Sequence, residues 1–174
     1  MTTPEQHRRD QHFMHLAIDQ AKLGIRTPGG AEVGCILVKH GTVAASGFNE
    51  AALHSDPTAH AEIVTIRRLC AERKTLSLAG CTLYCTLQPC AMCTAASLWS
   101  GISRIVYGAG RADVHPLYFA ERLQNTEDLI ADAYRNDIEM VSGILRDECA
   151  QFYLTPRDPA PPDPDPAHDP TVQP

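Results

Sequence analysis

Aromatic residues are scarce in this chain of 174 residues, at 6%, and tryptophan occurs once, as Trp99. Positive charge is also short: 15 Lys and Arg stand against 21 Asp and Glu, for a formal net charge of −6. Such a balance disfavours a large basic groove tracking the phosphates of a nucleic acid. No apolar run approaches the roughly 18 residues that a membrane-spanning helix needs. The polar opening from Met1 to Asp10 lacks the apolar stretch of a secretory signal, so a cytoplasmic location with no membrane partner is expected. In that reducing compartment the seven cysteines would be thiols or metal ligands and not a disulfide framework. What is present is ordinary for a globular protein: 44% hydrophobic and 21% charged residues exclude a disordered or collagen-like chain.

The length suits one domain, expected over residues 1–155. Residues 156–174 differ in character. They hold eight of the thirteen prolines and four aspartates against Arg157 alone, which excludes helix or central strand and predicts a Pro/Asp-rich disordered tail.

Within the body, Phe13, Met14, Ala17, Ile18 and Ala21 recur at helical spacing and predict a helix over 6–25, closed before Pro28-Gly29-Gly30. Two apolar runs, 33–38 and 42–48, flank His40-Gly41 and predict a β-hairpin. Helical periodicity returns over 60–73. Strands are expected at 81–86, 102–107 and 138–141, with helices at 90–100 and 145–154 and mostly helical structure over 116–134. Strands alternating with helices give an α/β fold: three layers, α/β/α, with a mixed sheet of about five strands covered by helices on both faces.

The chemistry is concentrated in His60-Ala61-Glu62 and Pro89-Cys90-Ala91-Met92-Cys93. If Pro89 opens a helix, Cys90 and Cys93, three residues apart, project from one face of its first turn. The helix dipole there favours thiolate and prepares the pair for a cation. His60 stands at the start of another helix, after the turn-forming Ser55-Asp56-Pro57-Thr58. One imidazole and two thiolates suit a single Zn²⁺ per chain, and three protein ligands leave a fourth position for a water whose pKa the metal lowers. Glu62 would sit beside that water as a proton shuttle, so that hydroxide attacks and a nitrogen leaves protonated. His-x-Glu followed by Pro-Cys-x-x-Cys is the pattern of zinc deaminases that act on nucleobases. A closed structural zinc site, with Cys85, Cys35 or Cys149 as a fourth thiolate, is the competing reading. It leaves Glu62 without a purpose.

On these paired motifs the chain resembles the cytidine deaminase-like superfamily, across residues 10–153. Asp56-Pro57-Thr58-Ala59-His60-Ala61-Glu62 is similar to the corresponding stretch of bacterial guanine deaminases. Such enzymes also carry a tryptophan where Trp99 ends the zinc-binding helix, and an acidic residue where Glu121 falls. The resemblance implies a homodimer that deaminates guanine to xanthine, with Asn49, Ala61, Trp99 and Glu121 contacting the base and Glu121 as a second catalytic acid. Gln88, where relatives commonly show glutamate, and Val33, where an aromatic is common, depart from that pattern. The closing stretch Gly143 to Cys149 instead resembles tRNA adenosine deaminases. The acidic, proline-rich end argues against a tRNA substrate without excluding it, and cytosine deaminase stays open because 81–87 and 93–96 resemble the fungal-type enzymes. A zinc-stabilised binding module without turnover is the non-enzymatic alternative. His54 and His115 are left unassigned.

Overall fold

The structure, a computed structural model, describes residues 3–119, 126–134 and 137–155. The expected tail 156–174 and the candidate acid Glu121 lie outside the described residues. Helix α1 spans Pro4–Arg26: the Thr3 hydroxyl accepts the Gln6 N–H at 3.1 Å, and Pro4 enters the first turn. Its stripe of Phe13, Met14, Ala17, Ile18 and Ala21 is buried. Strands β1 (Ala31–Lys39) and β2 (Thr42–Asn49) form the hairpin. Both turn residues take left-handed backbone, His40 at φ 51° and Gly41 at φ 76°, which matches the twist of an antiparallel pair.

A single helical turn, α2 (Ala51–His54), precedes α3 (Ala61–Arg73); then come β3 (Cys81–Leu87), α4 (Ala91–Trp99) and β4 (Arg104–Ala109). Short 3-10 turns at Arg111–Asp113 and Pro116–Phe119 lead toward α5 (Thr126–Ala131), β5 (Glu139–Val141) and α6 (Arg146–Ala150). The strands form one mixed sheet ordered β2-β1-β3-β4-β5, antiparallel at β1 and parallel across β3, β4 and β5. Ile36, Val38, Tyr84 and Val106 pack with α1 and the α6 end on one face. Cys35, Leu37, Leu83 and Ile105 pack with α3 and α4 on the other. The expected α/β/α layering and five-stranded mixed sheet are therefore observed.

Among the differences from expectation, two boundaries and one added element have a readable cause. β4 begins at Arg104 and not at 102, because its parallel ladder opens where Arg104 meets Thr82. The closing helix is shorter than 145–154: α6 gives way to a 3-10 turn at Gln151–Tyr153, which lets the Tyr153 hydroxyl reach the Glu32 carbonyl at 3.1 Å and the Thr86 hydroxyl at 2.7 Å. α2 was not anticipated, since four residues carry no readable period. Gly34 has a steric role, for a Cβ there would stand 2.1 Å from the Ala17 carbonyl oxygen of α1. None of the helices among the described residues is long and apolar enough to cross a membrane.

Candidate metal centre and active site

The two motifs meet because β3 delivers the chain to α4 beside the start of α3. His60 is the residue capping α3 and Cys90 the one capping α4, both in extended backbone, and neither spends its side chain on a capping bond. Those side chains turn toward each other instead. His60 Nδ1 lies 3.6 Å from Cys90 Sγ and 3.6 Å from Cys93 Sγ, and the two sulfurs are 3.6 Å apart. Tetrahedral zinc with bonds of ~2.3 Å to sulfur and ~2.05 Å to nitrogen requires ligand separations of about 3.8 Å between sulfurs and about 3.6 Å from nitrogen to sulfur. The donor triangle therefore fits zinc. These three are the metal-capable group among the described residues. The thiols offered as a fourth ligand are occupied elsewhere: Cys35 and Cys85 face each other across β1 and β3 with sulfurs 3.1 Å apart, and Cys149 packs where a Cβ on Gly108 would stand. Among the described residues the site offers three ligands and not the four of a closed structural centre.

The turn before His60 is braced. Asp56 accepts the Thr58 N–H at 2.8 Å and its hydroxyl at 2.6 Å, and Arg67 donates to the other carboxylate oxygen at 3.1 Å. The Thr58 bonds hold the Asp56 carboxyl below its ordinary range. On the other side, the Glu50 N–H donates to the Ala59 carbonyl at 2.9 Å. The Glu50 side chain, only 5% exposed, takes Arg68 and, at 3.2 Å, His54. Sequence reading missed Glu50: a charged residue after a strand reads as solvated, and its partner lies 18 residues away.

The electrostatics suit a cation. The hydrogen bond between the Cys90 and Cys93 sulfurs, helped by His60, lowers the Cys90 thiol to about 3. Cys93 is pushed up by the Cys90 sulfur and by burial, and a bound dication would favour the thiolate form of both. Burial raises the Glu62 carboxyl, with His60 opposing. Glu62 is only 4% exposed, in the first turn of α3.

Val33, Asn49, His60, Ala61, Glu62, Leu87, Gln88 and Cys90 line a small cavity. Of the base contacts expected by resemblance, Asn49 and Ala61 are brought there. The Asn49 side-chain oxygen accepts the Ala51 N–H at 3.0 Å, which opens α2 and leaves the amide nitrogen to donate. Trp99 corrects the expectation: it does not line the cavity but stands 78% exposed at the end of α4, because the inward face of that helix is taken by Cys93, Thr94, Ser97 and Leu98. The two departures from the guanine pattern, Val33 and Gln88, both line the cavity, as does Leu87, which sequence reading did not single out. His54 pairs with Glu50, and His115 Nδ1 accepts the Leu117 N–H at 3.3 Å.

Residues 7–109 match the family model of the cytidine and deoxycytidylate deaminase zinc-binding region. The chain belongs to this family. It is a zinc-dependent hydrolytic deaminase acting on C–N bonds, and the cluster of His60, Cys90 and Cys93 fits a zinc site. This deaminase is 33% identical to the tRNA-specific adenosine deaminase of Buchnera aphidicola subsp. Schizaphis graminum over 144 residues, 83% of this chain and 91% of that one. It is 35% identical over 101 residues to the guanine deaminase of Bacillus subtilis, covering 58% of this chain and 65% of that one. Among solved structures it resembles the guanine deaminase of Nitrosomonas europaea, with TM-score 0.69 and 26% identity over 87% of this chain and 83% of that one. In such a deaminase the metal lowers the pKa of a coordinated water toward neutrality.

Proposed function

We propose that this deaminase acts on a free purine base, converting guanine and water to xanthine and ammonia. The observation that carries the reading is the engagement of the cations flanking the site. Arg67 pairs with Asp56 at 3.1 Å, Arg68 with Glu50, and Arg146 with Asp113 at 3.6 Å. Among the described residues no lysine or arginine lines the cavity. Holding an anticodon stem requires guanidinium and ammonium groups that neutralise phosphates, and these are committed to carboxylates. In this reading the Asn49 amide orients the ring, Ala61 packs against it, and Glu121 accepts from its N–H edge. Glu62 takes a proton from the attacking water and delivers it to the nitrogen leaving C2.

The test is ammonia release by the zinc-loaded protein on guanine, with Glu62→Gln as blank. Turnover of guanine that falls when Asn49→Ala raises KM is the expected result, and silence on guanine would refute the reading. A second reading, deamination of the wobble adenosine of tRNA, is favoured by the Buchnera relative and by Gly143 to Cys149. Inosine formed in tRNA without xanthine formed from guanine would establish it. The resemblance also supports a homodimer, to be checked by light scattering, and a reducing cytoplasm suits Cys90 and Cys93 as ligands.

A further inference from the structure

The pairing of β1 with β2 breaks beside the cavity. Ala31 pairs with Asn49 and Gly34 with Phe48, so β1 advances three residues while β2 advances one. Glu32 and Val33 form this bulge; Val33 lines the cavity, as does Asn49 at the bulge's start. A β-bulge re-aims a side chain and leaves backbone groups without ladder partners. Here side chains take up those groups. The Gly34 N–H donates to the Thr86 hydroxyl at 3.0 Å, and the Glu32 carbonyl accepts from the Tyr153 hydroxyl at 3.1 Å. The Thr86 and Tyr153 hydroxyls are themselves 2.7 Å apart, closer than Thr86 to its other acceptor, the Gly34 carbonyl, at 3.4 Å. An N–H only donates and a carbonyl only accepts, so the hydrogen bonds run one way, from Gly34 through Thr86 and Tyr153 to Glu32. Thr86 and Tyr153 are fully buried. Thr86 precedes the cavity-lining Leu87 in β3, and Tyr153 lies in the 3-10 turn after α6. Tyr153 is anchored in turn: its carbonyl accepts the His115 N–H at 2.9 Å, and its ring centre lies 5.3 Å from that of Tyr118.

We propose that Tyr153 is a positioning residue: through its hydroxyl and Thr86 it fixes the bulge that sets Val33 in the cavity wall, and so tunes the affinity for the substrate base. The anchor stands on geometry; its kinetic consequence rests on the deaminase reading above. The Glu32 carbonyl and the Gly34 N–H belong to the two peptide planes on either side of Val33, whose orientations define its φ and ψ. Both planes are held by one chain of hydrogen bonds, and β2 holds neither Glu32 nor Val33, because its pairing skips them. Removing the Tyr153 hydroxyl lets Thr86 turn to the Gly34 carbonyl but deprives the buried Glu32 carbonyl of this donor, a cost that the bulge relieves by moving.

The test pairs NMR of the zinc-loaded protein with steady-state kinetics on guanine and on a tRNA anticodon stem-loop. The variants are Tyr153→Phe, Thr86→Val, Thr86→Ser, Val33→Ala, and Val33→Ala combined with Tyr153→Phe. Tyr153→Phe removes one oxygen and keeps the ring. It is expected to speed exchange of the Gly34 amide proton by about fivefold, the scale of one net neutral hydrogen bond, and to shift the Val33 methyl signals, with zinc content as in wild type. KM should rise by a similar factor, with kcat within about twofold. Thr86→Val, nearly isosteric, cuts the chain at its other member and should do at least as much, which covers the case of a poorly folded Tyr153→Phe. Thr86→Ser keeps the hydroxyl and should match wild type. If the Tyr153 hydroxyl acts through Val33, Tyr153→Phe should change KM by less than about twofold once Val33 is already alanine. Wild-type Gly34 exchange and Val33 methyl signals in both Tyr153→Phe and Thr86→Val would overturn the anchor. So would an unchanged KM, a fall in kcat alone, or an undiminished effect of Tyr153→Phe on KM in the Val33→Ala background. A wild type silent on both substrates would refute the functional reading and not the anchor, which the NMR data then decide.

Discussion

Replacing Glu62 by Gln isolates proton transfer from everything else the site does. The side chain is 4% exposed, the amide has nearly the same volume, and the metal triangle of His60, Cys90 and Cys93 does not include it. In the proposed mechanism its carboxylate serves two transfers in each turnover, from water and to the departing nitrogen, and a positioned acid or base contributes ~10²–10⁴-fold to such a step. Among the described residues no other carboxylate lines the cavity, and burial keeps bulk water from substituting. The expected loss in kcat is therefore about 10⁴-fold, or about 5 kcal/mol of activation free energy. KM should change less than about threefold and zinc should stay at one per chain. Ammonia release in a coupled assay gives the rate, and metal analysis of the same sample gives the occupancy. A variant that keeps its zinc and retains more than a tenth of the wild-type rate would refute Glu62 as the proton carrier.

Chelation of the metal is expected to abolish turnover, and added zinc to restore it; Cys90→Ala should not recover, because two donors remain of three. Asp10 is fully buried, and bidentate bonds from Arg104 at 2.8 Å, with others from Tyr84 and Gln6, outweigh the opposing effect of burial and hold its carboxyl below its ordinary value of 3.8. The stability it contributes is thus present above pH ~4 and is lost as pH falls through the lowered native pKa. Asp10→Asn should cost about 3 kcal/mol at pH 7 in urea unfolding and flatten the acid limb of the stability profile; an unchanged acid limb would remove Asp10 from that account. Gly34→Ala sets a Cβ against the Ala17 carbonyl at 2.1 Å and should lower stability by about 1–3 kcal/mol with the urea m-value unchanged.

Local features of the chain were enough for the metal site. A Pro before Cys-x-x-Cys sets both sulfurs on one turn, and His-Ala-Glu after a turn sets an imidazole and a carboxylate on the next helix start; these are facts of backbone geometry over three to five residues. The same locality made α1, the hairpin and the strand order of types legible, since apolar period depends on near neighbours. The tertiary structure decided everything that depends on residues far apart in the chain. Asp10 belongs to a polar opening segment and is nonetheless buried, because Arg104, 94 positions on, neutralises it. Trp99 follows the zinc ligands by a turn and a half, and only the docking of α4 on its Cys93 and Leu98 face turns the indole out to solvent. Gln88 reads as a departure from a family pattern; its two partners, 23 and 38 residues away, make it part of the cavity wall. Spacing along the chain specifies what shares a turn, whereas burial and pairing across the sheet are set by packing, which no window of sequence contains.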